Sequence, residues 1–299
     1  MRKAVVTGAT GFLGTRLVEE LVSQGYEVIA VGRDVSKMPA EWQTNNRIEC
    51  LEYSVETLSK KSADVFFHFA WKGTTGDARA DERVQLDNVK LACEAVKVAK
   101  MMGCKRFVHA GSLMSYEVVN SFSSENFIPG KNRVYSISKL TAEYMSKTIA
   151  IAEQIEYVNV IISNVYGVGE RSTRFINATV KKMLLNETIS LTAGTQQYDF
   201  IYVTDAVKAI ILVAEKGQNL ANYYIGNSKQ IPLREFVERM YKVLDSKSEL
   251  QFGAVPMEAI VLDYNELDTG RLERELGFAP QVSFEEGIKK LGDWINMEK

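Results

Sequence analysis

The first strand-like run of the chain, Lys3–Thr7, passes directly into Gly8-Ala9-Thr10-Gly11-Phe12-Leu13-Gly14 and then into a helical pattern. Few folds place three glycines at a strand-to-helix turn. Without a Cβ at Gly8, Gly11 and Gly14, the turn can be tight, backbone can approach a phosphate, and helix and strand can pack closely. The N–H groups at the helix start, from Thr10 through Phe12 and Leu13 to Gly14, then face a pyrophosphate with the positive end of the helix behind them. The spacing is GxxGxxG, one residue longer than the common dinucleotide fingerprint. A glycine-rich turn without a ligand is the alternative. Position argues against it, because the motif follows the first strand and a second strand comes at the expected distance.

The rest of the first half repeats that alternation. Glu27–Val31, Ile48–Tyr53, Val65–Phe69 and Arg106–Ala110 read as buried strands, with helical spacing between several of them, as in Leu91, Ala95, Val98 and Met102. Further helices are expected over about Asp81–Met102 and Arg133–Ala152, and a sixth strand over Val158–Ser163. Such alternation predicts a doubly wound α/β fold of the Rossmann type, a parallel sheet covered on both faces. After Gly167 the alternation breaks down, leaving helices at about Phe175–Leu185, Asp205–Glu215, Leu233–Leu244 and Phe284–Ile295. Without a low-complexity linker, residues 167–299 read as a smaller, interleaved substrate-binding region. The nucleotide-binding part is then 1–166, with about 199–225 returning to it, and a cleft between the two is the default site.

The end of the second strand selects the cofactor. An acid there would hold the adenosine ribose hydroxyls of NAD. The chain has Gly32 and Arg33 instead, and an arginine stacks on adenine and pairs with a 2′-phosphate, which favours NADP. Asp34, one residue on, keeps NAD open.

Composition removes other partners. A net charge of -2 over 299 residues makes no case for nucleic acid or an acidic membrane, and no apolar run approaches the roughly 20 residues that span a bilayer. Cys50, Cys93 and Cys104 have neither paired nor metal-like spacing and read as buried small hydrophobes in a reducing compartment. The strand that begins at Lys3 leaves no room for a signal peptide, so a cytoplasmic location is expected.

Tyr135 and Lys139, in YSISK, stand four residues apart in a helical stretch and so share one face. An ammonium beside a phenol favours the phenolate and suits the tyrosine to proton transfer. Upstream, HAGSLMSYE offers Ser112 at the carboxyl edge of the fifth strand, where open α/β sheets bind ligands. Taken together, TGATGFLG, HFAW (residues 68–71), Asn88 in LDNV, Ser112, YSISK, NVYGVGE and DFIYVTDAV resemble the extended short-chain dehydrogenase/reductase family, of the NAD-dependent epimerase/dehydratase type, over nearly the whole chain.

That resemblance implies roles. Ser112 would hydrogen-bond a carbonyl, Tyr135 would be the general acid, and Lys139 would bind the nicotinamide ribose and tune Tyr135. Phe69, Ala70, Trp71 and Asn88 would border the cofactor. Asn164 would reach a sugar nucleotide, Asp199–Val203 would border its pocket, and Arg271 would lie near the diphosphate. Trp71 and Lys72 would line the sugar site. Many members carry an arginine where this chain has Tyr198; Arg174, Lys182 or Arg271 would then supply the charge, or the substrate is a small carbonyl compound. The family also implies a homodimer built on the helices at 81–102 and 133–152.

Departures from family patterns narrow the reaction. Leu113 and Met114 occupy places that are acidic in sugar 4,6-dehydratases, and no cysteine–histidine pair of the kind used for epimerisation beside a ketone is visible; His68 and His109 lie within strands. Two enzymes remain: an NADPH-dependent 4-ketoreductase, to which HFAWKGTTGDARAD is similar in members acting on CDP- or dTDP-linked 6-deoxy sugars, and a 4-epimerase that keeps NAD bound. A non-catalytic NADP-binding sensor is the reading from another class, and intact Ser112, Tyr135 and Lys139 argue against it.

Overall fold

The computed structural model describes residues 2–119, 130, 133–257, 262 and 264–298. The chain runs through β1 (Lys3–Thr7), α1 (Phe12–Ser23), β2 (Glu27–Gly32), α2 (Ala40–Gln43), β3 (Ile48–Glu52), α3 (Val55–Leu58), β4 (Val65–His68), α4 (Glu82–Met101), β5 (Arg106–Ser112), α5 (Ser115–Val119), α6 (Arg133–Ala152) and β6 (Glu156–Ile162). It continues through β7 (Asn164–Tyr166), α7 (Phe175–Leu184), β8 (Ile189–Leu191), β9 (Gln197–Tyr198), β10 (Phe200–Tyr202), α8 (Val203–Lys216) and β11 (Asn222–Ile225). The last elements are β12 (Ile231–Pro232), α9 (Leu233–Val243), β13 (Leu250–Phe252), α10 (Arg271–Leu276) and α11 (Phe284–Met297). Two compact units result, one of Met1–Ile162 with Val207–Tyr224 and one of Ser163–Ala206 with Ile225–Lys299.

The first unit is built on a seven-stranded sheet in the order β11-β6-β5-β4-β1-β2-β3. Its pairings β1–β2, β2–β3, β1–β4, β4–β5 and β5–β6 are parallel. This is the doubly wound fold expected from the alternation of strands and helices. The strand order reverses between β1 and β4, and the turns leaving those two strands face the crevice where such sheets take ligands.

On one face of the sheet, Val5, Phe66, Phe107 and Tyr157 form the centre of the core, with Ala95 and Ala99 of α4 and Ala150 of α6 among the residues packed there. Phe66 stacks on Phe107 at 5.5 Å between ring centroids, and Phe107 on Tyr157 at 5.9 Å. Two residues further along each strand, on the same face, Thr7, His68, His109 and Asn159 stand in register. The sheet therefore turns from apolar to polar toward its carboxyl edge. No described helix is long and apolar enough to cross a membrane.

In the second unit, β7 pairs with β10 and β8 with β13 in parallel, and β9 with β12 antiparallel. Tyr166, Phe200, Phe236 and Phe284 make its aromatic centre, with Phe200–Phe236 and Phe236–Phe284 centroids both 4.8 Å apart. Buried Asp205 accepts from the backbone N–H groups of Gln281 (2.9 Å) and Val282 (2.8 Å), fixing the approach to α11. These two- and three-residue strands are too short to carry a periodic signal of their own.

One expectation fails. Cys104 is buried, and burial pushes its thiol up to about 12, but Cys50 and Cys93 are only half-buried, since they lie where edge strand β3 and helix α4 still meet solvent.

Phe107 touches both neighbouring strands through its ring, and its loss leaves a void that the sheet backbone cannot close. Phe107→Ala is expected to cost about 3–5 kcal/mol, read as a lower urea midpoint for the first unit with an unchanged slope.

Candidate active site

Gly8 leaves β1 at φ +74, and a Cβ built there would lie 2.6 Å from the carbonyl carbon and oxygen of Phe69. A Cβ on Gly14 would lie 2.1 Å from the Gly8 oxygen. Both glycines are therefore required by backbone approach. Phe69 N–H donates to Thr7 O (3.1 Å) and Ala70 N–H to Thr7 Oγ1 (3.4 Å), so the turns after β1 and β4 are bound together. Helix α1 opens at Gly11 with no side-chain cap and no acid in its first turn. The amides of Phe12, Leu13 and Gly14 point out of that opening turn with no carbonyl one turn back to accept them. A Cβ-free cradle at the positive end of a helix fits a dinucleotide diphosphate.

At the end of β2, Arg33 is exposed, and among the described residues no carboxylate ion-pairs with it. Asp34 is engaged elsewhere. Its Oδ1 accepts from Ser36 N–H (3.0 Å) and Ser36 Oγ–H (2.6 Å), capping the turn that follows, and Lys37 lies 3.8 Å away. The Ser36 hydrogen bonds hold its carboxyl below the usual carboxylate range.

Tyr135 and Lys139 both lie on α6 and are both buried. Lys139 Nζ donates to Ala110 O of β5 at 3.0 Å, which ties the helix to the strand that ends at Ser112. Burial pushes the Lys139 ammonium down to about 7. Ser112 Oγ accepts from Met114 N–H (3.2 Å), so its own proton remains to be donated. Leu113, next along, is buried.

The loop after β4 adds two groups to this pair. The Trp71 ring lies 3.7 Å from Lys139 Nζ and meets Tyr135 edge-on at 6.1 Å. The Arg79 guanidinium sits over the Tyr135 ring at 4.0 Å, and its Nη1 donates to Thr74 O at 3.1 Å. Helix α4 holds the loop. Gln85 Oε1 accepts from Trp71 Nε1 (2.9 Å), while its Nε2 donates to Gly73 O (2.9 Å) and Ala78 O (2.8 Å). Asn88 grips the Lys72 backbone from both sides, accepting from its N–H (2.9 Å) and donating to its C=O (2.8 Å). Its amide is thus spent on the loop, and the Lys72 side chain is exposed. On α5, Glu117 accepts from Ser136 Oγ at 3.2 Å and lies 3.9 Å from Arg133; burial raises its carboxyl.

His68 and His109 lie under this site and are buried. Burial holds His68 neutral at about 3, and His109 well below its ordinary value. Cys104, at the opposite end of β5, is not paired with either. Ser112, Tyr135 and Lys139 are thus the polar side chains that α6 and the end of β5 bring to this edge of the sheet.

The second unit holds the remaining residues singled out in the sequence. Asn164 Nδ2 donates to Asp199 O (3.1 Å), and the Asp199 carboxylate, 0% exposed, accepts from Asn227 N–H (2.9 Å) and Ser228 N–H (3.2 Å). Tyr198 stacks on Phe200 at 5.6 Å. Arg174 precedes α7 and lies 3.9 Å from Glu170, and Arg271 Nε donates to Glu275 at 2.9 Å. Helical pairing thus engages Arg271, and Asn164 binds its neighbouring strand.

Arg79, Gln85 and Glu117 were not singled out in the sequence. Arg79 sits in a charged loop where nothing marks it. Gln85 did carry a signal, standing one helical turn before Asn88 so that both face the same loop.

Comparison with known proteins bears on the fold and the family. The CDP-abequose synthase of Salmonella muenchen is 27% identical over 295 residues, covering 97% of each chain. The UDP-glucose 4-epimerase of Mycolicibacterium smegmatis is 24% identical over 96% of each chain. Among solved structures, the UDP-N-acetylglucosamine 4-epimerase from Methanobrevibacter ruminantium M1, in complex with UDP-N-acetylmuramic acid, superposes with a TM-score of 0.80 at 22% identity, over 100% of this chain and 99% of that one. MoeE5 in complex with UDP-glucose and NAD gives 0.80 at 24% identity over the same shares. The family model for the NAD dependent epimerase/dehydratase family matches residues 4–226, which include the glycine turn, Ser112 and the Tyr135–Lys139 pair. The chain is an NAD(P)-dependent enzyme and belongs to the NAD dependent epimerase/dehydratase family.

Proposed function

We propose that this enzyme reduces the 4-keto group of a nucleotide-linked 6-deoxy sugar, CDP- or dTDP-linked, with NADPH, in deoxysugar or surface polysaccharide synthesis. The observation that carries the reading is at the end of β2. Asp34 is turned away to cap Ser36, while Arg33 stands exposed with no carboxylate paired to it among the described residues. That arrangement suits a 2′-phosphate and is poor for a ribose diol. An NADP site in turn suits an enzyme that takes reducing equivalents from solution and releases the oxidised cofactor. Similarity along the whole chain to an enzyme named for making a CDP-linked sugar supports the same substrate class.

When bound, the dinucleotide supplies a hydride to the keto carbon. Gly8, Gly11 and Gly14, with the amides of Thr10, Phe12 and Leu13, hold its diphosphate, and Phe69, Ala70 and Trp71 border it. Ser112 Oγ–H donates to the keto oxygen. Tyr135 gives its proton to that oxygen as it becomes an alkoxide, and Lys139 stabilises the phenolate left behind. In the second unit, Asn164, Arg174, Tyr198 and Arg271 are the proposed contacts to the sugar nucleotide. The exposed apolar residues of α4 and α6, Leu86, Ile137, Tyr144, Met145 and Ile151, suit a homodimer. We place the enzyme in the cytoplasm.

The competing reading is a 4-epimerase with resident NAD, favoured by relatives named as 4-epimerases. The two differ in cofactor use. With a CDP- or dTDP-linked 4-keto-6-deoxy sugar, Tyr135→Phe is expected to lower kcat by about 10²–10⁴-fold with little change in KM. That is read from loss of nicotinamide absorbance, and an unimpaired variant contradicts the assignment. Arg33→Ala is expected to weaken NADPH binding roughly 10- to 100-fold, the worth of one charge-assisted bidentate contact, and NADH far less, since NADH loses only the stacking on adenine. Equal weakening of both cofactors in fluorescence titrations contradicts an NADP site.

A further inference from the structure

Lys139 is buried to 5% exposure, yet no carboxylate ion-pairs with it among the described residues. A buried ammonium left to itself loses its proton. Among the described residues, the groups around it are few. From β5, Ala110 O accepts its proton, and the neighbouring His109 is neutral. From β4 comes His68, also neutral. Its own helix carries Tyr135, Glu143 and Lys147, the last two 3.9 Å apart and so paired with each other. The loop after β4 brings Arg79 onto the Tyr135 ring and Trp71 onto Lys139 itself. At 3.7 Å from the indole centroid, Nζ is within the distance at which a ring face attracts a cation, and a desolvated site strengthens that attraction.

The indole is not free to leave. Its Nε1–H is fixed on Gln85 Oε1 at 2.9 Å, and Gln85 is 0% exposed. Its ring packs against Val89 and Ala92 of α4 and Ala142 of α6. Trp71 is thus held by α4 and presented to the catalytic lysine of α6.

We propose that Trp71 is the charge partner of Lys139, an aromatic face serving where a carboxylate would otherwise stand, and that Gln85 locks it in that role. An aromatic partner has a chemical advantage here. It favours the ammonium without adding a negative charge beside the oxygen that Tyr135 must protonate. Trp71 is in this sense a positioning residue for the catalytic pair. Its importance for turnover rests on the role proposed for Lys139 above, but the charge partnership is measurable without turnover.

The test is to follow the lysine ¹³Cε resonance of Lys139, assigned by its disappearance in Lys139→Met, as a function of pH in the cofactor-free protein. Tryptophan is replaced biosynthetically by mono-, di- and trifluorotryptophan, which drain the ring face of charge while keeping its shape and cover. The Lys139 titration midpoint is expected to fall stepwise across the series, by about one pH unit in the most fluorinated form, a tenfold loss of proton affinity. A midpoint that stays put across the series overturns the proposal. The same series in Trp71→Phe, where only Trp42 and Trp294 carry fluorine, is expected to leave the midpoint unmoved, and a comparable shift there also overturns it. Neither outcome depends on whether a sugar is reduced, so failure here is separate from failure of the ketoreductase reading.

Discussion

The backbone of Gly8 lies so close to the turn after β4 that an added Cβ would fall 2.6 Å from Phe69 C and O. That contact joins two turns at the carboxyl edge of the sheet. It lets the turn after β1 and the turn after β4 meet at the point where the strand order reverses. It leaves the start of α1 open, with neither a side-chain cap nor an acid to compete for an anion. It also sets the loop that continues to Trp71 and Arg79, the two residues that touch Lys139 and Tyr135. The glycine turn and the Tyr135–Lys139 pair are therefore brought to the same edge of the sheet by one backbone approach.

A second constraint is charge in a dry place. The polar row Thr7, His68, His109 and Asn159 runs in register beneath α6, and burial keeps both imidazoles neutral. Lys139 is the exception, with a carbonyl and an indole as its partners. Because burial pulls the ammonium down to about 7 from 10.5, the unfolded chain binds more protons than the folded one between those values. This group therefore makes the protein more stable as pH rises through that window, and stability is lost as pH falls through about 7. A lysine held this way costs stability in the empty enzyme.

The first unit was legible because buried parallel strands are written as short β-branched runs and the helices between them keep a 3.6-residue period. α6 was expected at Arg133–Ala152 and lies there. β5 extends past Ala110 to Ser112, which carries the serine on the strand itself. β11, with the sequence NYYI, escaped notice because four residues between a turn and a loop have no pattern of their own; only pairing across the sheet makes them a strand. The glycine turn, Tyr135 and Lys139 stand out in the sequence because residue type and spacing go together there, and the structure brings them to one edge of the sheet. Arg79 and Gln85 do not stand out, since their roles arise from how a loop folds back on a helix. Asn88, expected beside the cofactor, has its amide on the backbone of Lys72.

The central claim is that hydride moves from exchangeable NADPH to C4 of a nucleotide-linked keto sugar. Incubating the enzyme with 4-keto substrate and NADPH deuterated at the transferable position, then weighing the sugar product by mass spectrometry, tests it directly. A 4-ketoreductase yields one deuterium in the alcohol product for each NADPH consumed, with the sugar remaining reduced. Interconversion of 4-hydroxy nucleotide sugars by the same preparation, with no NADPH consumed and no deuterium gained, would contradict it.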